Sequence, residues 1–306
     1  VKISVLTDAP KHNLALMKIS SWHKRCGDEV TLNMPLLKAD YRYASYIFKN
    51  GMRFGAQETG GIGINPKIEL PGQIQQQRPD YELFKLGHSL GYTFRACPRQ
   101  CAFCKVPLMR QDRSHHSIWE FHDPHFNRIE LLNNNTFGDP FWEETFQEIH
   151  EAKLRIIDSS GFDLRLLDDR KASWLRRLKW EDHGPRFAWD RVQDEKEIRE
   201  GLKLLRKHKL KGCTIYVLMG FDTSFEEDLY RCEIINGYGY DPYPMLFKST
   251  PTLSRFRKFL YGRGYRQYSS IAEAWKDYKI KAKGGNHDSN NITFLNPRET
   301  GLRRKG

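Results

Sequence analysis

No stretch of this sequence approaches the roughly 18 consecutive apolar residues of a membrane-spanning helix, so no membrane association is expected. The opening segment, VKISVLTDAPKHN, lacks a charged run followed by a long apolar one. No secretory leader is therefore visible, and a cytoplasmic location is expected. There is no internal repeat and no low-complexity segment. Cysteine is scarce, and the six present are not spread in pairs as a disulfide framework would need. What remains is ordinary globular material: 306 residues, 39% hydrophobic and 13% aromatic, too apolar for a disordered chain. That length suffices for one large domain or two modest ones around a real core.

The net charge of +12 is concentrated at one end. From Arg255 onward there are thirteen Lys and Arg but only Glu273, Asp277, Asp288 and Glu299 as acids, so nine of the twelve excess charges lie there. The rest of the chain is close to neutral. Any polyanion partner would concern this end of the protein.

Hydrophobic periodicity predicts alternating strands and helices. KISVLT (2–7) is a strand, the apolar spacing from Leu14 to Trp22 is helical, and Val30 and Leu32 open a second strand. Tyr46, Ile47 and Phe48 fit a third. Residues 55–80, rich in Gly and Pro, are loop-like and mark a boundary. Strands follow at 89–94, 128–134, 153–159, 185–190, 213–221 and 243–247, with Arg165 of FDLRLL placed on a further strand. Helices are expected at 140–152, 168–178 and 194–210. Ser224 and Glu227 have capping-box spacing, so another helix starts there. Repeated strand–loop–helix units point to a parallel α/β barrel or part of one, whose functional residues sit on loops after the strand C-termini. The expected division is a small α/β domain at 1–80, a partial barrel at 81–250 and a basic C-terminal extension at 251–306.

The informative string is CPRQCAFC, where Cys97, Cys101 and Cys104 have the spacing C-x3-C-x2-C at the end of a predicted strand. Three thiolates on one tight loop can ligate three irons of a cubane cluster and leave the fourth open to a small molecule. A structural zinc site is the alternative, with His115 or His116 as fourth ligand. Cys26, Cys213 and Cys232 stand alone and read as ordinary buried cysteines.

In its strand context this motif resembles the radical S-adenosylmethionine (SAM) superfamily. GYTFRACPRQCAFCKVP resembles the cluster loop of the branch with a cobalamin-binding-like N-terminal domain. LLNNNTFGDP, SGFDLRLLDD, PRFAWD and YVLMGFDTSFEEDLYR resemble successive strands of its (β/α)6-type barrel, and GGIGIN and RPDYELF the stretch leading into it. The resemblance covers most of residues 2–247. It implies a [4Fe–4S] cluster on Cys97, Cys101 and Cys104, with SAM chelating the open iron. One electron would cleave SAM to a 5′-deoxyadenosyl radical that takes hydrogen from a substrate. It implies a one-electron reductant such as flavodoxin or ferredoxin as partner.

For the SAM pocket the resemblance implies Phe103 against the adenine and Met219 and Gly220 as a backbone contact to it. Asn133, Asn134 and Asn135 stand where many members have a Gly-Gly-Glu run that receives the SAM amino group. They can accept from an ammonium or merely shape a turn. Arg165 is either a bidentate partner of the SAM carboxylate or a structural salt bridge to Asp163 or Asp190. Cobalamin binding is not expected: no D-x-H-x-x-G motif is present, and Asp8 and His12 have the wrong spacing for it. Residues 255–268 interleave Arg255, Arg257, Lys258, Arg263 and Arg266 with Phe256, Phe259, Tyr261, Tyr265 and Tyr268. That pattern suits single-stranded RNA, the basic groups tracking phosphates and the rings stacking on bases, or else a last helix packed on the barrel.

Overall fold

The computed structural model describes residues 1–158 and 160–284, with backbone alone for 281–284. Arg298, Arg303, Arg304 and Lys305 of the basic run lie outside the described residues. The chain is a mixed α/β protein built on parallel sheets. Among the described residues no helix is long and apolar enough to cross a membrane.

The first sheet has the order β2-β1-β3-β4, formed by β1 (Lys2–Thr7), β2 (Glu29–Leu32), β3 (Tyr41–Ser45) and β4 (Glu58–Gly60), all parallel. Helix α1 (Leu14–Arg25) crosses from β1 to β2 and buries Leu16, Met17 and Ile19 against Ile3, Val5 and Val30. Asn13 caps it, accepting the Leu16 N–H at 3.3 Å. The third strand is 41–45 rather than 46–48, where the Asp8 carboxylate takes the N–H groups of Ile47 and Phe48, both at 2.9 Å. The stretch expected to be loop contains β4 and the short α2 (Gly72–Gln75).

The second sheet runs β5 (Ser89–Gly91), β6 (Arg128–Leu131), β7 (Arg155–Ile157) and β8 (Lys179–Trp180), in that order and parallel. The third runs β9 (Arg186–Trp189), β10 (Thr214–Met219) and β11 (Asp241–Leu246), also parallel. A parallel bridge from Phe162 to Phe187 joins the two. Among the described residues β11 pairs only with β10, and an outer position tolerates its Pro242 and Pro244.

Helices α3 (Trp142–Glu151), α4 (Asp169–Arg177), α5 (Glu195–Lys207) and α6 (Phe225–Gly237) cover one face of these sheets. In α5, Ile198, Leu202 and Leu205 recur at helical spacing and are fully buried. Acids occupy its first turn and bases its last, as the helix dipole favours. The capping box is present at α6: Ser224 Oγ accepts the Glu227 N–H, and Glu227 accepts the Ser224 N–H. Phe187, Trp189, Ile215 and Val217 point into the same core, so their strand neighbours present the alternate face.

Two departures bear on function. Arg165 lies on a 3-10 turn (Leu164–Leu166), not on a strand, because the Asp163 carboxylate accepts the Arg165 N–H and turns the chain. The C-terminal aromatics are core residues. In α7 (Pro251–Tyr261) and α8 (Ile271–Gly284), Phe256 and Phe259 pack with Trp275, joined by Tyr265 and the partly buried Tyr268. Of the five rings that suited either base stacking or a packed last helix, only Tyr261 is exposed, and the other four follow the packed alternative. Arg266 is ion-paired to Asp241. Burial of large apolar side chains, roughly 1.5–3 kcal/mol each, takes these rings from any ligand.

Candidate cysteine-loop site

Strand β5 is short because the chain leaves the sheet at Tyr92 and enters the loop that carries the three cysteines. Asn133, just past β6, holds the loop's stem. Its carbonyl accepts the N–H groups of Thr93 at 2.8 Å and Phe94 at 3.1 Å, and its amide donates to Thr93 Oγ1 at 2.8 Å. Asn134 donates to the Arg95 carbonyl. Gln111 clasps the far end, accepting the Cys97 N–H at 3.0 Å and donating to the Val106 and Met109 carbonyls. The asparagine triplet thus shapes the loop, and Asn133 already has its oxygen filled.

All three thiols are free and partly buried. Cys97 Sγ accepts the Arg99 N–H at 3.5 Å and the Asn135 amide at 3.7 Å; Cys104 Sγ accepts the Val106 N–H at 3.4 Å. Hydrogen bonds to sulfur are one of the protein's means of tuning an iron–sulfur cluster. Burial pushes the Cys101 thiol up, with Arg165 opposing. Among the described residues no three His, Cys, Asp or Glu side chains converge tightly enough for a single metal ion. His115 and His116, offered as a fourth zinc ligand, face carboxylates: His115 Nδ1 lies 2.7 Å from Asp139, and His116 sits between Asp112 and Glu120. A cluster that gives each thiolate its own iron does not require three sulfurs around one point, and the donor set suits that group.

Behind the loop lies a network of charges. Asp163 accepts from Arg165 through both oxygens, at 2.7 and 3.0 Å, from Arg99 Nε at 3.0 Å and from Asn135 at 3.2 Å. Arg165 gives a further hydrogen bond to Asp194 at 2.6 Å, and Asp194 also receives Arg191. Burial alone would raise Asp163, but the Arg165 and Arg99 contacts outweigh it and hold the carboxyl below its usual range. Burial likewise opposes the Arg165 charge, and its two aspartates hold the guanidinium above its usual range. Arg165 thus bridges Asp163 and Asp194 and, among the described residues, makes no ion pair with Asp190.

Asp190, one residue past β9, differs from its neighbours: among the described residues its side chain has no hydrogen bond. Burial, with Asp163 and Asp194 adding to it against Arg165 and Arg231, raises its carboxyl to about 6. A carboxyl raised in the folded state is penalised when ionised. The penalty is absent below the unfolded value near pH 4 and grows as pH rises through about 6. Asp190→Asn is accordingly expected to stabilise the fold at neutral pH by roughly 2–3 kcal/mol, at about 1.4 kcal/mol per pKa unit. The gain should vanish below about pH 4 in denaturant titrations.

Phe103 makes an edge contact with Phe221, ring centres 5.6 Å apart, and Phe221 with Phe247 at 4.9 Å. This chain of rings joins the cysteine loop to the ends of β10 and β11. Met219 is buried, and its carbonyl is taken by the Phe247 N–H at 2.9 Å. Gly220 has φ +73°, and a Cβ there would fall 2.6 Å from the Lys248 carbonyl oxygen, so glycine is required. Sequence reasoning missed Gln111, Phe221 and Phe247. Asp190, a charged residue closing an apolar strand, was the one that left a signal.

No protein-family model and no curated protein matches the chain. A solved structure to which it is similar is that of Streptococcus suis SuiB bound to S-adenosylmethionine, at 11% identity and a TM-score of 0.45. The match covers 60% of this chain and 48% of that one, so the chain spans about half the length of the structure it matches.

Proposed function

We propose that the protein is a radical SAM enzyme whose β5–β11 region is a partial (β/α)6-type barrel, with Cys97, Cys101 and Cys104 holding a [4Fe–4S] cluster. The observation that carries this reading is the C-x3-C-x2-C loop itself, set at the C-terminal end of the first strand of a parallel sheet, with three free thiols of which Cys97 and Cys104 accept backbone N–H groups. Functional residues of parallel barrels gather at that end. Bound there, the cluster would supply one electron to the SAM sulfonium, whose cleavage gives a 5′-deoxyadenosyl radical. The chain's part is to bind, orient and exclude water. Phe103, with Phe221 and Phe247 beside it, offers ring edges and faces to an adenine, and Gly220 lets the backbone approach. Asn135 and the Asp163–Arg165 network position Cys97. A flavodoxin or ferredoxin would serve as reductant, and the compartment would be the cytoplasm.

Anaerobic reconstitution with iron and sulfide tests the reading. The expected result is a coloured protein whose visible spectrum changes on adding SAM and which forms 5′-deoxyadenosine with a reductant. A colourless protein that retains zinc, or a coloured one that never cleaves SAM, would overturn it.

A nucleic-acid substrate rests on the basic side chains alone. Among the described residues Arg255, Arg257 and Lys258 have no ion pair. If they contact phosphates, log affinity for single-stranded RNA falls with log salt, and changing all three to Ser makes the slope shallower by about 2, at about 0.7 per contact. An unchanged slope would remove RNA from consideration for this helix.

A further inference from the structure

Between the first sheet and the loop after β5 lies a cleft with no part in the chemistry proposed above. It comprises two adjoining hollows of about 210 and 120 Å³ that share Leu14, Lys18, Gln75, Tyr92 and Arg95 in their walls. The larger opens at the carboxyl ends of β1, β3 and β4, lined there by Asn13, Ser45 and Gly61. Open α/β sheets hold their ligands outside the carboxyl ends of the strands.

Two cations meet in the shared wall. Lys18, on α1, gives one of its three N–H groups to the Gln75 carbonyl. Arg95 is only 22% exposed, yet among the described residues its side chain makes no hydrogen bond. Its guanidinium lies over the Tyr92 ring at 5.3 Å, and its ion pair with Glu69 is long, at 3.8 Å. Glu69 gives its other oxygen to Arg110 at 2.8 Å. A guanidinium carries five donors in a fixed fork, and those of Arg95 have no protein acceptor at hydrogen-bond distance among the described residues. The cations also oppose each other: burial and then the Arg95 charge bring the Lys18 ammonium down to about 8, with Glu120 pulling the other way. An oxyanion between them would fill the empty donors and relieve the repulsion. The first turn of α1, whose Leu14 and Ala15 line the larger hollow, adds a favourable field for negative charge.

We propose that this cleft binds a phosphate-bearing small molecule, with the phosphate bridging Lys18 and Arg95. The combined space is near the lower end of the roughly 300–1,000 Å³ of small-molecule pockets. A free phosphate, a sugar phosphate and a mononucleotide share the chemistry that these two side chains recognise.

Calorimetric titration of the full chain with inorganic phosphate, ribose 5-phosphate and AMP, against acetate at matched ionic strength, tests the site independently of SAM cleavage. Saturable binding of at least one phosphate compound, and none of acetate, is expected. The tightest of the three identifies the source: inorganic phosphate for a free ion, the others for an organic ligand. Lys18→Gln and Arg95→Gln should each weaken binding roughly ten- to a hundredfold. Glu120→Gln, at an exposed position, should tighten it. Circular dichroism checks the fold of each variant; if the cation variants unfold, Glu120→Gln decides. No saturable binding by any of the three, acetate binding as tightly as phosphate, or affinity unmoved by Glu120→Gln and by the folded cation variants would overturn the proposal.

Discussion

Replacing any one of Cys97, Cys101 or Cys104 by Ala is expected to abolish iron binding after reconstitution and, with it, all formation of 5′-deoxyadenosine. The three sulfurs are not interchangeable. Cys97 is held from both sides, by the Arg99 N–H and the Asn135 amide, and Cys104 by the Val106 N–H. Two of the three sulfurs are thus aimed by their own donors, and no fourth cysteine is near enough in sequence to substitute. Cys213 and Cys232 lie in the core, where burial pushes the first thiol to about 12 and the second higher still. A thiol held that firmly in its neutral form is a poor ligand, because metals take the thiolate. Ser in place of Cys26, which is exposed at the end of α1 and not buried as expected, should leave iron content unchanged, as should Ala in place of Cys213 or Cys232 in protein that remains folded. Full iron content in any of the three loop variants would remove the cluster from this loop. Loss of iron in the Cys26 variant would implicate a ligand outside it.

Much of this arrangement was legible in advance. The strand alternation, the helix from 194 to 210, the capping box at Ser224 and the cysteine spacing all depend on local periodicity or short motifs, which a single sequence carries. The misreadings share a different cause. FDLRLL alternates like a strand, yet Asp163 bends it into a turn by capping its own neighbours, and only then does the side chain of Arg165 reach Asp194. The interleaved rings after Arg255 left two readings open, base stacking or a packed last helix, because sequence shows composition and not direction. Three-dimensional packing turns Phe256, Phe259 and Tyr265 toward Trp275. The Asn133 hydrogen bonds to Thr93 and Phe94 span about forty residues, as the Arg99–Asp163 pair spans about sixty. No local pattern encodes such contacts.

The charge network makes the second large expectation. Arg165→Met should cost about 3 kcal/mol, the low end for breaking a buried ion pair, because each carboxylate loses one partner and keeps another. Asp163, whose side chain is 5% exposed, keeps Arg99 and Asn135, and Asp194, at 10%, keeps Arg191. Arg165→Lys should recover only part, since an ammonium cannot match the two-pronged contact with Asp163 while also reaching Asp194. The pH dependence separates this role from a direct one in holding SAM. Both aspartates are held below their usual range, Asp163 by Arg165 and Arg99, Asp194 by Arg191 and Arg165. Their stabilisation is complete above the unfolded value near pH 4 and is lost as pH falls through the lowered folded values. The stability gap between wild type and Arg165→Met, read from denaturant titrations, should therefore be widest at neutral pH and narrow steadily below about pH 4. A SAM-carboxylate partner would behave otherwise: stability would stay within about 0.5 kcal/mol of wild type, as for a surface change, while SAM affinity fell. That outcome, with a flat stability gap in acid, would return Arg165 to the SAM pocket and leave Asp163 to Arg99 alone.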